Sequence, residues 1–312
     1  MRFIFSLFAI STAAVYANEI AELSPAAAYT YDYGFSDYHF IDPDRPWHVE
    51  GRSRYVAPAQ FKKSRRGHEN YFDTDAAIYY TQFFNDENSL TYELGYDLLR
   101  FKWKKNPRFS QSNFNYLNAS LGYVSNKLER WRWIINAGVS VDAAHLNFGK
   151  TGVGHGMLWG RYHFADCCGV HVGMAGWYGI LNGRGLPIIG FDWQFREKWS
   201  ANVIFPIDYS IKYAFSDNWS LEAAYAGLGG PYKYPRRAYN HRHGNHDPIF
   251  SVHSKGAVLL LKYKFEHLLR VSLGGGWNFG GWIYIKNNHN HHGKYFNYKS
   301  APYAQANAEM TF

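Results

Sequence analysis

The sequence predicts an all-β fold: a single transmembrane antiparallel up-and-down barrel of about fourteen strands, or about twelve if one short hairpin is only a minor excursion. Three patterns predict it. Apolar and polar residues alternate through segment after segment, the period of a strand with one greasy face. Connections alternate between short and long, as barrel turns and outer loops do. Aromatic residues flank the short connections, where a membrane–water interface selects them.

Taken in order, the chain of 312 residues opens with Met1-Arg2 and an apolar run from Phe3 to Val15. Small residues in Val15-Tyr16-Ala17 suit a cleavage site, so residues 1–17 read as a secretory signal cut after Ala17. The run is shorter than the ~20 residues of a spanning helix, and no later segment approaches that length. Residues 18–46 lack periodicity and read as a periplasmic lead-in, closed by Asp42-Pro-Asp-Arg-Pro46.

The barrel is expected over residues 47–312. Its predicted strands are 47–57, 71–84, 89–101, 111–125, 131–143, 152–164 and 170–181. The remainder are 186–196, 199–205, 208–216, 218–229, 254–266, 268–285 and 301–312. In the third strand Leu90, Tyr92, Leu94, Tyr96 and Leu98 oppose Thr91, Glu93, Gly95 and Asp97. In the fifth, Trp131, Trp133, Ile135, Ala137, Val139 and Val141 oppose Arg132, Ile134, Asn136, Gly138, Ser140 and Asp142. The 199–205 and 208–216 pieces are short for a membrane strand of ~9–11 residues. Pro206-Ile207 joins them tightly where a long connection is due.

Short turns fall near Asn85–Asn88, Asn126–Arg130, Ala165–Gly169, Arg196–Lys198, Ser216–Asn218 and Glu266–His267. Phe84, Trp131, Phe164, Phe195, Trp199, Phe215, Trp219 and Phe265 cluster beside them. A soluble sandwich also alternates. Full-sized aromatics near the ends of the apolar faces favour the barrel instead. An even strand count places both termini in the periplasm. The last strand alternates from Ala304 to Phe312, and that terminal aromatic strand is the expected handle for the outer-membrane assembly machinery.

Several motifs carry a family likeness: Leu186-Pro-Ile-Ile-Gly-Phe-Asp-Trp193, the Arg196-Glu-Lys-Trp199 turn, Phe205-Pro206, Ser216-Asp-Asn-Trp219 and the closing strand to Phe312. Over residues 186–312 their order resembles a family of uncharacterised bacterial outer-membrane β-barrel proteins. The resemblance implies a barrel in the outer membrane of a Gram-negative-type bacterium, facing lipid and lipopolysaccharide. It implies no catalytic residues.

The polar faces carry Glu93, Asp97, Asp142, Asp192, Glu222 and Glu309 against Arg132, Arg161, Lys212, Lys262, Lys264 and Arg270, with His163 among them. Two roles fit these lumen-lining groups. They could edge a conducting path or fill a narrow barrel with ion pairs. The long loops are basic, with Lys62, Lys63, Arg65, Arg66, Lys102, Lys104, Lys105, Arg108, Arg236, Arg237, Arg242, Lys286 and Lys294. Such charge suits the phosphates of lipopolysaccharide; outside a cell, nucleic acid is not the expected partner. His241, His243 and His246, and again His289, His291 and His292, are spaced closely enough to hold Zn²⁺, Cu²⁺ or Ni²⁺. Polar loop residues are the plainer account of them.

Cys167 and Cys168 are neighbours and cannot staple distant parts of the fold together; a turn position is expected. No hydrolase elbow, zinc-protease helix, phosphate loop or dinucleotide fingerprint occurs, and neither an enzyme nor a cofactor is expected. The functional expectation is a porin-like channel for small solutes. A non-conducting surface-binding barrel is the alternative, with a lipid-modifying membrane enzyme behind it.

Overall fold

The computed structural model describes residues 43–62, 68–104, 112–179, 184–233, 249–266, 268–286 and 294–312. The wall begins with β1 (Trp47–Gln60), β2 (His68–Asn85), β3 (Asn88–Lys104), β4 (Asn113–Ser125) and β5 (Trp131–Asp142). After one helical turn, Phe148–Thr151, come β6 (Val153–Ala165), β7 (Cys168–Tyr178), β8 (Arg184–Arg196) and β9 (Trp199–Phe205). Then follow β10 (Asp208–Ala214), β11 (Trp219–Leu228), β12 (Pro231–Lys233) and β13 (Ile249–Phe265). The chain closes with β14 (Leu269–Lys286), β15 (Lys294–Tyr298) and β16 (Ala301–Thr311).

Every pairing is antiparallel, and β1 against β16 seals the ring in the register His48↔Thr311 to Val56↔Tyr303. The 16 segments form 14 staves. β12 carries the line of β11 onward along β13, and β15 does the same for β16 along β14. The short pair β9 and β10 are full members of the wall, bonded to β8 and β11. Residues 199–205 and 208–214 therefore count as staves, and fourteen rather than twelve stands.

Local chemistry sets the turns. Asn85 Oδ1 accepts the backbone N–H groups of Glu87 and Asn88, tightening the β2–β3 connection. Ser216 Oγ does the same for Trp219 N–H before β11. Cys167 and Cys168 sit at the β6–β7 turn as free thiols.

Side chains sort by parity. Leu94, Leu117, Leu121, Ile135, Met174, Ile189, Leu259 and Leu273 stand exposed on the outer surface. At the short-turn end this greasy band is bounded by a belt of touching rings: Trp47–Tyr80, Trp131–Tyr162, Trp199–Tyr213 and Trp219–Tyr263, with centroids 4.6–5.1 Å apart. Toward the long-loop end the exposed rings include Tyr55, Phe72, Tyr178, Tyr225, Trp277 and Phe279. The largest buried apolar cluster among the described residues lies inside the wall near the long-loop end, and a second lines the inner face of β4–β9.

Candidate functional site

The candidate site is the interior, and two regions of it differ in chemistry. Toward the short turns it is polar on β1–β3, while on β4–β9 the polar groups border a buried apolar cluster that includes Val124, Ile134, Trp159, Ile188 and Ile204. On β1–β3 the carboxylates of Glu50, Asp73, Asp75, Glu93 and Asp97 share one face. Two of them pair with arginine: Arg52 with Asp75 at 2.8 Å, and Arg54 with Asp73. The other three accept from hydroxyl or amide donors, and Glu50 also lies 3.7 Å from His48 Nε2. Tyr79 O–H donates to Glu50 (2.6 Å), Ser120 Oγ to Glu93, and Asn118 Nδ2 to Asp97 (2.7 Å). On this arc acids outnumber arginines five to two.

Elsewhere on the ring bases are more numerous. Asp192 on β8 takes a forked bond from Arg161 on β6, Nε to Oδ1 at 2.7 Å and the second arm to Oδ2. Behind it His171 Nε2 lies 2.6 Å from Asp192 Oδ1. Trp159 Nε1, which can only donate, is 3.1 Å from His171 Nδ1. Nδ1 is therefore the acceptor, and Nε2–H donates to the carboxylate. Arg161 also reaches the ring of His163. Lys262 Nζ donates to Glu222 at 2.7 Å, and Arg270 lies 3.5 Å from Glu309. Arg132 stands beside Arg161 in register, Lys264 beside Arg270, and Lys212 beside Glu222. Asp142 is spent differently: its Oδ1 accepts Ala144 N–H and His145 N–H and holds the end of β5.

Sequence reasoning missed Arg52, Arg54, Asp73, Asp75, Trp159 and His171. Arg161 and His163 share the parity of Trp159, which was the available signal. His171 stands between the outward Val170 and Val172. His289, His291 and His292 lie outside the described residues, as do His241, His243 and His246. Among the described residues, no three His, Cys, Asp or Glu side chains gather as metal ligands. Lys62, Lys102 and Lys294 are exposed at the loop ends.

Toward the long loops the interior is aromatic. Phe250 of β13 stacks on Phe114 of β4 at 4.5 Å and meets Phe101 of β3 edge-on at 5.4 Å. Tyr232 of β12 lies 5.1 Å from Phe114 and 5.5 Å from Tyr116. On the ring β3 and β4 are nearly opposite β13, so these contacts cross the bore. Arg54 crosses too, donating from NH1 to the Gly227 carbonyl of β11 at 3.0 Å.

A closed antiparallel wall, greasy outside and polar within, defines the class of outer-membrane β-barrels. No protein-family profile matches the chain. It is similar to an uncharacterised protein of Chlamydia muridarum, with 22% identity over 287 residues, spanning 86% of this chain and 88% of the relative. A Chlamydia pneumoniae protein gives 22% identity over 286 residues and the same 86% and 88% coverage. Among solved structures, an outer-membrane channel of Pseudomonas putida F1 is similar over 86% of this chain and 96% of its own, at 7% identity and a TM-score of 0.48. A mutant of the TodX monoaromatic hydrocarbon channel covers 87% and 91% at 10% identity and a TM-score of 0.47. These likenesses concern the fold; what passes through those channels is a property of those proteins.

Proposed function

We propose that the chain is an exported outer-membrane barrel that passes small solutes, with its polar inner face as the path. The support is the separation of surfaces: the exposed residues of mid-wall are apolar, while Glu93, Asp97, Arg161, Asp192, Lys212 and Lys262 stand on the opposite parity. Lys212 is itself exposed on that inner face. Cation-rich and anion-rich arcs of similar total charge fit weak ion selectivity. In this reading Arg132, His163, Lys264, Arg270 and Glu309 also line the path, residues 1–17 are removed on export, and both termini face the periplasm. The basic loop ends then meet lipopolysaccharide at the outer leaflet.

Planar-bilayer recording of the refolded protein tests this. Discrete conductance steps are expected; silence at high protein load, with folding verified by heat-modifiable gel mobility, sinks it. One observation favours the second reading, a non-conducting barrel with a filled bore: the Phe114–Phe250 stack across the mouth. The two readings diverge on whether those rings ever part.

A further inference from the structure

The aromatic closure is built on an unusual line of backbone breaks. β11 pairs with β13 as far as Leu228↔Ser254, then Gly229-Gly230 intervenes before β12 resumes at Pro231↔Ser251. β13 itself is irregular between Ser254 and Gly256. β14 is interrupted opposite, where pairing passes from Asn278↔Ala301 to Gly281↔Tyr298. Lys299 and Ser300 separate β15 from β16 at the same level. Two glycines on this line have left-handed backbones, Gly229 at φ 85° and Gly280 at φ 93°. Four adjacent staves thus break along one transverse line, and such irregularities bend a strand and sharpen its twist.

Beyond the line, β12, residues 249–254 of β13, residues 281–286 of β14 and β15 stay paired with one another. They form a panel that joins the wall through the bent β13–β14 ladder and, at its β15 edge, through the bridge of Tyr298 to Phe61 of the β1 end. The panel leans over the bore, which is how Phe250 and Tyr232 reach Phe114, Phe101 and Tyr116. A small set of polar contacts fastens it there. Tyr116 O–H donates to the Lys233 carbonyl, and Lys233 N–H donates back to the Tyr116 hydroxyl at 2.6 Å. Lys233 Nζ donates to the Gly152 carbonyl at 3.3 Å. Along the bend, Asn278 Oδ1 accepts from Ser254 Oγ (2.6 Å) and Gly280 N–H (2.7 Å), which braces two of the breaks.

We infer that this four-stranded panel is a hinged flap that gates the long-loop mouth: closed when Tyr116 holds Lys233 and Phe114 stacks on Phe250, open when both let go. The physical basis is economy of motion. Opening sacrifices the cross-bore contacts and the few backbone bonds by which β15 meets the end of β1, Phe61 against Tyr298, Lys62 N–H to Asn297 and Lys299 N–H to Gln60, but it keeps the ladders within the panel. The inference rests on the channel reading, since a gate needs a path behind it.

Single-channel recording in a Cys167→Ser/Cys168→Ser background tests it. Tyr116→Phe removes the hydroxyl that makes both hydrogen bonds to Lys233, and it is expected to shift the closed-to-open ratio toward open by at least roughly fivefold, the low end for two lost hydrogen bonds. Phe114→Cys/Phe250→Cys, bridged by a short reversible bis-thiosulfonate reagent, is expected to stay shut and to recover on adding reductant. Current that persists unchanged through the bridged state, or a Tyr116→Phe variant that gates like the parent, overturns the flap while leaving the channel intact. Silence in every variant, with folding verified, overturns both.

Discussion

Asp192 is the inner acid with the most to lose. It accepts from Arg161 and His171 together. Asp192→Asn keeps the shape but removes the charge that balances Arg161, so a half-buried cation loses its counterion. The expected cost is about 3 kcal/mol, read as a lower denaturant midpoint in detergent micelles; a shift within error would mean solvent already screens the pair. Alternation places Arg161, His163 and Asp192 on the polar faces of their strands, and the three sit together there. Trp159 escapes such reading because a Trp in a barrel strand passes for a lipid-facing ring, yet here its indole N–H is used on the inside. Arg52 and Arg54 escape because Gly51 and Ser53, the outward residues on either side of Arg52, give little contrast to announce a period. Glu69 is the opposite case from Asp192. It is 1% exposed, and among the described residues neither carboxylate oxygen has a hydrogen-bond partner. Burying such a group costs on the order of 1–3 kcal/mol. Glu69→Gln, which cannot ionise, is therefore expected to raise the melting temperature. A lower one would show that a water or cation held by the carboxylate had been lost.

At the scale of elements, the wall was largely readable because each stave carries its own evidence. Turn chemistry at Asn85 and Ser216, and parity in β3, β5 and β8, act within a few residues and need no knowledge of the partner strand. The pair β9 and β10 looked too short, seven residues each. They are admitted because β8 and β11 supply ladders on both sides. Where the reading fell short, the determinant was shared between elements. β13 begins at Ile249, ahead of the predicted 254, and Ile249, Phe250, Ser251 and Val252 are all buried. With both faces covered, alternation has nothing to mark. The bend is likewise spread over four staves, and only Gly229-Gly230 hints at it locally. Gly280 follows Gly274-Gly-Gly276, and only the register across to β13 and β15 distinguishes its break from ordinary strand glycine. The panel is thus a property of neighbours, invisible one strand at a time.

For the whole molecule, the decisive question is what solvent the outer surface meets. Leu273 gives a clean probe. It lies within β14, points outward and is 67% exposed, between the wall's paired neighbours Leu261 and Ala306. In water, replacing so exposed a leucine by lysine would cost little, because nothing packs on it and the ammonium would be hydrated. In a bilayer the same change puts a charge against hydrocarbon, at about 2–4 kcal/mol near the midplane and much less near the interfaces. Leu273→Lys is therefore expected to lose about 2 kcal/mol or more when unfolded reversibly from phospholipid vesicles. Phe265→Lys, beside a short turn in the aromatic belt, should lose less, because its ammonium can reach the headgroups. Tryptophan fluorescence against denaturant reads both. The gradient between the two sites is the informative quantity, since it separates burial in lipid from any general intolerance of charge on the wall. Equal losses at the two positions, or none at either, would mean that the greasy band does not face hydrocarbon, and the membrane assignment would fall with it.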